Sequence, residues 1–200
     1  MPRIKKRAWQ KDLEDDSERV VKYYQKLFAN YKNKDVLNAI TEVLNAWSEI
    51  VRSSEFSLEN QALFEKALRH SHEHVWFDAG SRLVRLLPHT QDAERILRQV
   101  FGDTKWRSRF NVVALSGGFD DELAYGILSR AINDASARVR QKVAGMVLLR
   151  QDRRFLHLVE ERLEIEKTER AAEEMRFAIE QFDQVRRGRH GNLIFTVTSG

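Results

Sequence analysis

Residues 102–132, GDTKWRSRFNVVALSGGFDDELAYGILSRAI, and residues 133–163, NDASARVRQKVAGMVLLRQDRRFLHLVEERL, are two versions of one 31-residue pattern. A shift of 31 positions superposes identical residue types: Asp103 on Asp134, Arg107 on Arg138, Arg109 on Arg140, Val112 on Val143 and Asp121 on Asp152. In the second half of each stretch, apolar residues recur at the spacing that lines one face of a helix. Each stretch therefore predicts a helix, a short turn and a second helix.

The pattern extends upstream in weaker form. Residues 71–101 match in their second half, where Thr90 takes the place of Asp121. Thr90, Asp121 and Asp152 are predicted N-caps, because each side-chain oxygen can accept from a free backbone N–H in the first turn. Outside these three stretches the apolar stripes persist without the period, and they predict helices near residues 17–31, 35–52, 58–70 (with Ser57 as N-cap) and 168–183. Atypical end units are expected in a repeat array.

The order of residues from Asp134, with Val139 and Arg140 followed by small and apolar residues, resembles the HEAT repeat, in particular its short phycobilin-lyase type. The resemblance is good for residues 133–163, fair for 102–132 and partial for 71–101. It implies an all-α fold, a right-handed α-solenoid of antiparallel helical pairs with an elongated interaction surface. Because such repeats occur in scaffolds, adaptors, some enzymes and DNA-repair glycosylases, the resemblance does not specify the partner.

Composition predicts one folding unit and is compatible with a reducing compartment. The 200 residues are 42% hydrophobic and 32% charged, and they contain no cysteine, which excludes disulfides and thiolate metal sites. The sequence has no apolar run of membrane-spanning length and no apolar leader after Met1. We therefore expect a cytoplasmic protein with a single helical-repeat domain over residues 17–185, between a flexible charged arm (1–16) and a C-terminal tail (186–200).

The two ends of the chain differ in character. Five basic residues in 1–11 are followed by five acidic residues in 12–18, a pattern typical of a solvated terminus. Residues 192–198, NLIFTVT, have the β-branched and aromatic residues of a short strand. We expect this strand to pack on the last helices or to pair with another chain, because its apolar residues are costly to expose.

The repeated arginines are predicted to have two different roles. Arg109 and Arg140 each follow an aspartate by six positions, so we interpret them as structural residues held by Asp103 or Asp134. Gly145, which falls on Ala114, is interpreted as a residue that lets packed helices approach closely. Arg107 and Arg138 recur without an obvious partner and are predicted to face a ligand.

With neighbouring polar residues, Arg107 and Arg138 predict a basic ladder on the concave face, made of Arg82, Arg85, Arg107, Asn111, Arg138 and Lys142. The favoured function is a non-enzymatic scaffold or adaptor that binds a protein partner. The alternative is a nucleic-acid-binding protein, similar to DNA-repair HEAT proteins, in which the ladder grips phosphates. Trp76 and Trp106 are either core residues or stacking surfaces for bases.

No catalytic, cofactor or metal site is predicted. The sequence lacks a phosphate-binding glycine loop, a nucleophile elbow and a helical His-Glu-x-x-His pair. His70, His72 and His74, with Glu73, form the one cluster that could bind a metal ion. Three histidines in a turn between helices are more often solvated, and only His72-Glu73 matches the His-Glu pairs of the HEAT-type deoxyhypusine hydroxylase. Enzyme activity therefore receives little support.

Overall fold

The computed structural model describes residues 13–28 and 33–186. These residues form ten α-helices and no strand, which confirms the predicted all-α class. The helices are α1 Ser17–Phe28, α2 Lys34–Ser53, α3 Leu58–Leu68, α4 Glu73–Leu86, α5 Gln91–Phe101, α6 Trp106–Leu115, α7 Asp121–Ala131, α8 Ala137–Arg150, α9 Arg153–Leu163 and α10 Glu169–Arg186. None of these described helices combines the length and apolar character needed to cross a membrane. The predicted strand at 192–198 and residues 1–12 of the predicted arm lie outside the described residues.

Most helix boundaries lie within a few residues of the predicted positions, and three of the four predicted N-caps are confirmed. Ser57, Thr90 and Asp152 each accept a hydrogen bond from a backbone N–H in the first turn. The predicted cap Asp121 is wrong by one position, since Asp120 Oδ1 accepts from Leu123 N at 2.8 Å and Asp121 is already helical. Two consecutive aspartates, Asp120 and Asp121, follow Phe119, and α7 begins at the second of them.

The described helices divide into two compact units, one ending at Ile127 and the other beginning at Leu128. The boundary falls inside α7 and therefore inside the predicted repeat 102–132. In the first unit, α4 packs against both α2 and α6, and α3 packs against α5. The remaining contacts join consecutive helices, apart from a smaller contact between α3 and α6. Alternate helices of the first unit thus form two layers, α2–α4–α6 and α3–α5.

Polar side chains set the register between α3 and α5. Three hydrogen-bonded pairs, each 34 residues apart, join the two helices and their C-terminal ends: Gln61 with Arg95 (2.6 Å), Glu65 with Gln99 (2.8 Å) and Arg69 with Asp103 (2.8 Å). A constant separation means that α3 and α5 run in the same direction. The helical pair α2–α3 therefore packs beside α4–α5 in the same orientation, although its sequence does not show the 31-residue period.

The core of the first unit lies between the two layers. On α2, Ile40, Val43, Leu44, Trp47 and Ile50 are completely buried, and they recur at helical spacing. The helices α4 and α6 approach closely where Gly80 meets Leu115. A Cβ atom at Gly80 would lie 2.2 Å from Leu115 Cδ1, so a larger residue here would force the Leu115 side chain to move.

In the second unit, α8 packs against α9 and α10, and α9 packs against α10. Val143 and Val147 of α8, Phe155 of α9 and Phe182 of α10 are completely buried and form its core. Gly145 does not lie in a packed crossing as the sequence predicted. A Cβ atom at Gly145 would have no neighbour within 4 Å, so this glycine lies on an open face of α8.

Candidate partner-binding surface

The six residues of the predicted ladder have very different exposures. Arg107 and Arg138 are exposed, Arg85 and Lys142 are half-buried, and Arg82 and Asn111 are only 3% and 1% exposed. Four of the six belong to the first unit, and Arg138 and Lys142 belong to the second. Arg82 and Asn111 are structural residues. That the ladder residues form one continuous surface stays a prediction.

Asn111 is buried because it seals a turn. Its Nδ2 atom donates to the carbonyl oxygen of Leu68 at 2.9 Å, at the C-terminal end of α3, where helix carbonyls lack an intrahelical partner. Arg107 supports the same turn, since its Nη1 atom donates to Ser71 O at 3.0 Å. Asn111 therefore leaves the predicted surface, and Arg107 contributes to folding while its side chain remains exposed.

Arg82 is buried because residues 13–16 cover it. Its Nε and Nη1 atoms donate to Asp78 Oδ2 and Asp16 Oδ1, both at 2.9 Å. Its guanidinium lies 5.1 Å from the centre of the Trp47 ring, and that of Arg85 lies 4.7 Å from the same ring. A tryptophan face attracts cations, so Trp47 forms a platform that positions both arginines.

Residues 13–16, which we call the strap, were expected to belong to a flexible arm, but they are bound to α2 and α4. Leu13 is 4% exposed. The carbonyl oxygen of Glu14 accepts from Trp47 Nε1 and from Arg85 Nη2, both at 3.1 Å. Asp15 Oδ1 accepts from the Ser48 hydroxyl at 3.0 Å. We call the four residues Trp47, Ser48, Arg82 and Arg85 the strap site.

The charge of Asp15 is stabilised at this site. Burial acts to raise the pKa of its carboxyl group, but hydrogen bonds from Ser17 and Ser48, together with the nearby Arg82, outweigh burial and lower it. Asp15 and Asp16 are both part of the acidic block that the sequence placed in the solvated terminus. The lowered pKa keeps the Asp15 carboxylate ionised at neutral pH.

Arg109 and Arg140 fold back on their own turns in the same way. Arg109 Nη1 donates to the carbonyl oxygens of residues 103 and 104, and Arg140 Nη1 donates to those of residues 134 and 135. These bonds recur at the 31-residue shift and agree with a structural role for both arginines, although they are made to main-chain carbonyl oxygens, whereas the sequence predicted aspartate carboxylates as the partners. The carboxylate of Asp103 accepts from Arg69.

Arg140 also has a partner that the sequence did not indicate. Its Nε and Nη2 atoms donate to the two carboxylate oxygens of Glu166 at 2.5 and 2.7 Å, and Arg162 Nε donates to the same group. The Glu166 side chain is 0% exposed. Hydrogen bonding from Arg140 lowers the pKa of Glu166 to about 2, although burial opposes the shift. This ion pair ties the turn before α10 to the start of α8.

The helices α6 and α8 share an unusual charge pattern. Neither helix contains an acidic residue, and neither N-cap residue makes a side-chain capping hydrogen bond. Each helix exposes one arginine in its first turn, Arg107 or Arg138, beside the arginine that is folded back. On α8 the open face continues through Lys142 and Gly145 to Leu149, which is 51% exposed. The spacing of these residues places them along one side of the helix.

The two candidate stacking tryptophans also differ. Trp76 is 7% exposed and belongs to the core. Trp106 is half-buried, and the Arg107 guanidinium lies 5.3 Å from its ring centre. Of these two tryptophans, only Trp106 is therefore partly accessible to a ligand.

The histidine turn packs against aromatic rings of α1. His72 and His74 lie 5.8 and 5.6 Å from Phe28 between ring centres, and His70 Nδ1 accepts from His72 N at 3.0 Å. Burial, together with neighbouring His74 and His70, lowers the pKa of His72. Within residues 13–28 and 33–186, no group of three His, Asp or Glu side chains converges on a common point that could hold a metal ion.

Comparison with known proteins returned no match to a family model, to a curated protein or to a solved structure.

Proposed function

We propose that this chain is a cytoplasmic, non-enzymatic scaffold or adaptor of the HEAT-like type, which binds a protein partner through the first helices of its repeats. In this proposal the helical pairs form a right-handed α-solenoid. Two observations support it: the alternating layers of the first unit, and the backbone hydrogen bonds of Arg109 and Arg140, which recur at the repeat distance. An array of this kind leaves one row of helices available to a ligand.

The observation that carries the proposal is the exposed arginine at equivalent positions of α6 and α8. Arg109 and Arg140 have structural partners that explain their recurrence. Arg107 and Arg138 are exposed in helices without any acidic residue, so they give both helices a positive outer face. Positive faces attract acidic partners and accelerate their association.

The character of the surface favours a protein over a nucleic acid. Leu149 and Phe77, 51% and 52% exposed, are apolar anchors of the kind found in protein interfaces. Non-specific nucleic-acid binding requires a dense row of cations with several stacking rings. One feature favours nucleic acid as a second candidate, namely the half-buried Trp106 between the exposed Lys105 and Arg107. A base could stack on this ring while the cations contact phosphates.

Salt titration distinguishes the two candidates. A surface that grips phosphates releases counterions, so its affinity for DNA or heparin should fall steeply between about 50 and 200 mM salt. We expect no retention on either polymer at physiological salt, and we expect capture of a protein partner from a lysate treated with nuclease. Retention of random-sequence DNA with a steep salt dependence, and loss of every captured protein after nuclease treatment, would favour the nucleic-acid function.

A further inference from the structure

An acidic segment of the chain itself already occupies a surface with recognition chemistry. The strap consists, in order, of a buried apolar residue and of a main-chain carbonyl and two carboxylates that contact the strap site. Leu13 is buried, Glu14 offers its carbonyl oxygen, and Asp15 and Asp16 offer their side chains. Arg82 and Arg85, two of the arginines that the sequence assigned to partner binding, are therefore engaged with a peptide-like ligand.

These contacts recognise a main-chain carbonyl and two negative charges, and they do not require the glutamate side chain. Trp47 Nε1 and Arg85 Nη2 both donate to the carbonyl oxygen of residue 14, a group that every peptide possesses. Selectivity comes from the Ser48 hydroxyl on Asp15 and from the Arg82 guanidinium on Asp16. Charge-assisted hydrogen bonds of this kind discriminate strongly in favour of carboxylates.

The strap can leave without stranding a buried charge. When Asp16 departs, Arg82 keeps the carboxylate of Asp78, to which it donates at 2.9 Å. Arg85 loses only the carbonyl oxygen of Glu14, and its side chain is already partly exposed to water. Removing one partner of a buried ion pair is costly when the remaining charge is left unpaired. Arg82 is not left unpaired, because it keeps its bond to Asp78. Exchange of one acidic segment for another is therefore energetically accessible.

We infer that the strap site is a peptide-binding surface that takes an extended acidic segment of a protein partner, in which an apolar residue is followed after one position by two acidic residues. The strap occupies this surface in the free protein and is displaced by the partner segment. The inference rests on the proposed function, because it names a partner class for the same binding module. The strap site does not include Arg107 or Arg138, so an experiment can contradict this inference without contradicting the proposed function, and the reverse.

A peptide-binding experiment tests this exchange in the full-length protein. The probe is a fluorescently labelled peptide with the sequence of residues 11–18, KDLEDDSE, and binding is measured by fluorescence anisotropy. Asp16→Asn should loosen the strap, because it removes the charge that Arg82 holds. Apparent affinity scales with the fraction of molecules whose site is open, so we expect this variant to bind the peptide at least about tenfold more tightly than the wild type.

Three controls make the result specific. Glu18→Gln removes one negative charge two residues away, where the carboxylate contacts the exposed Lys22, and should leave peptide affinity at the wild-type value. Adding Arg85→Ala to Asp16→Asn should lower the affinity gained. A probe with asparagine at both aspartates that follow its glutamate should bind the Asp16→Asn protein at least about tenfold more weakly.

The inference is overturned if Asp16→Asn keeps the helicity and thermal unfolding of the wild type but binds the peptide no more tightly. It is also overturned if the neutral probe binds as well as the acidic one. Should Asp16→Asn lose helicity, Leu13→Ala replaces it under the same criteria, since this change removes the apolar anchor and leaves the Arg82 ion pairs intact.

Discussion

Glu166 illustrates how one residue can determine the stability of a turn. Its side chain is 0% exposed, and it receives hydrogen bonds from Arg140, from Arg162 and from the backbone N–H of Thr168. We expect Glu166→Gln to lower the free energy of unfolding by about 3 kcal/mol, because Arg140 would lose its charged partner inside the protein. Chemical denaturation at neutral pH measures the change. The matched control Glu164→Gln, at an exposed position, should change stability by less than about 0.5 kcal/mol.

The same carboxylate predicts a pH dependence. The pKa of Glu166 is about 2 in the folded protein and near 4.5 in the unfolded chain. A depressed folded-state pKa contributes stability that is fully present above about pH 5 and is lost as the pH falls from 4.5 towards 2. Unfolding curves across that range should show a steeper loss of stability for the wild type than for Glu166→Gln. Parallel curves would contradict this account, because they would mean that folding does not lower the pKa of Glu166.

Asn111 and Arg107 lie four residues apart and provide a second contrast at this scale. Asn111→Ala should lower the free energy of unfolding by about 2 kcal/mol, because the buried carbonyl of Leu68 would lose its donor. Arg107→Ala should cost less than about 1 kcal/mol, since the exposed Ser71 carbonyl can be hydrated. Thermal unfolding of both variants checks the order, and equal losses would contradict the structural assignment of Asn111.

At the scale of elements, two glycines inside helices, Gly80 of α4 and Gly145 of α8, should respond in opposite directions to a methyl group. Gly145→Ala adds a Cβ atom in open space on a helix, so it should raise stability by about 0.5–1 kcal/mol through helix propensity. Gly80→Ala should lower stability by about 1–2 kcal/mol, because the branch of the buried Leu115 lies 2.2 Å from the new atom and must move. Denaturation midpoints of the two variants on opposite sides of the wild type would confirm this assignment.

Helices were the most predictable elements of this chain, because their signals are local. Apolar spacing and the oxygens of Ser57, Thr90 and Asp152 indicate where helices run and begin. The predicted packing of Gly145 was wrong because a glycine in a helical pattern does not reveal which face its neighbours cover. The pairing of α3 with α5 was missed because its polar pairs are separated by 34 residues and resemble ordinary surface side chains.

At the scale of the whole molecule, long-range contacts limited what the sequence could predict about the binding surface. The strap pairs Asp16 with Arg82 across 66 residues, and a run of acidic residues near a terminus has the composition of a solvated segment. The exposure of Arg107 and Arg138 was predictable from the repeat, since helical spacing places both on a different side of the helix from the buried Val112 and Val143. The burial of Arg82 was not, because it depends on a segment outside the repeats.

The proposed binding role of the first helices is tested most directly by a double charge reversal. Quantitative affinity capture from a nuclease-treated lysate compares the wild type with Arg107→Glu/Arg138→Glu. A matched control, Arg98→Glu/Arg154→Glu, makes the same change of charge at exposed positions of α5 and α9. We expect the first variant to lose its captured protein while it stays folded, with a melting temperature lowered by no more than about 4 °C, and the control to retain the captured protein. Equal capture by both variants would contradict the proposal.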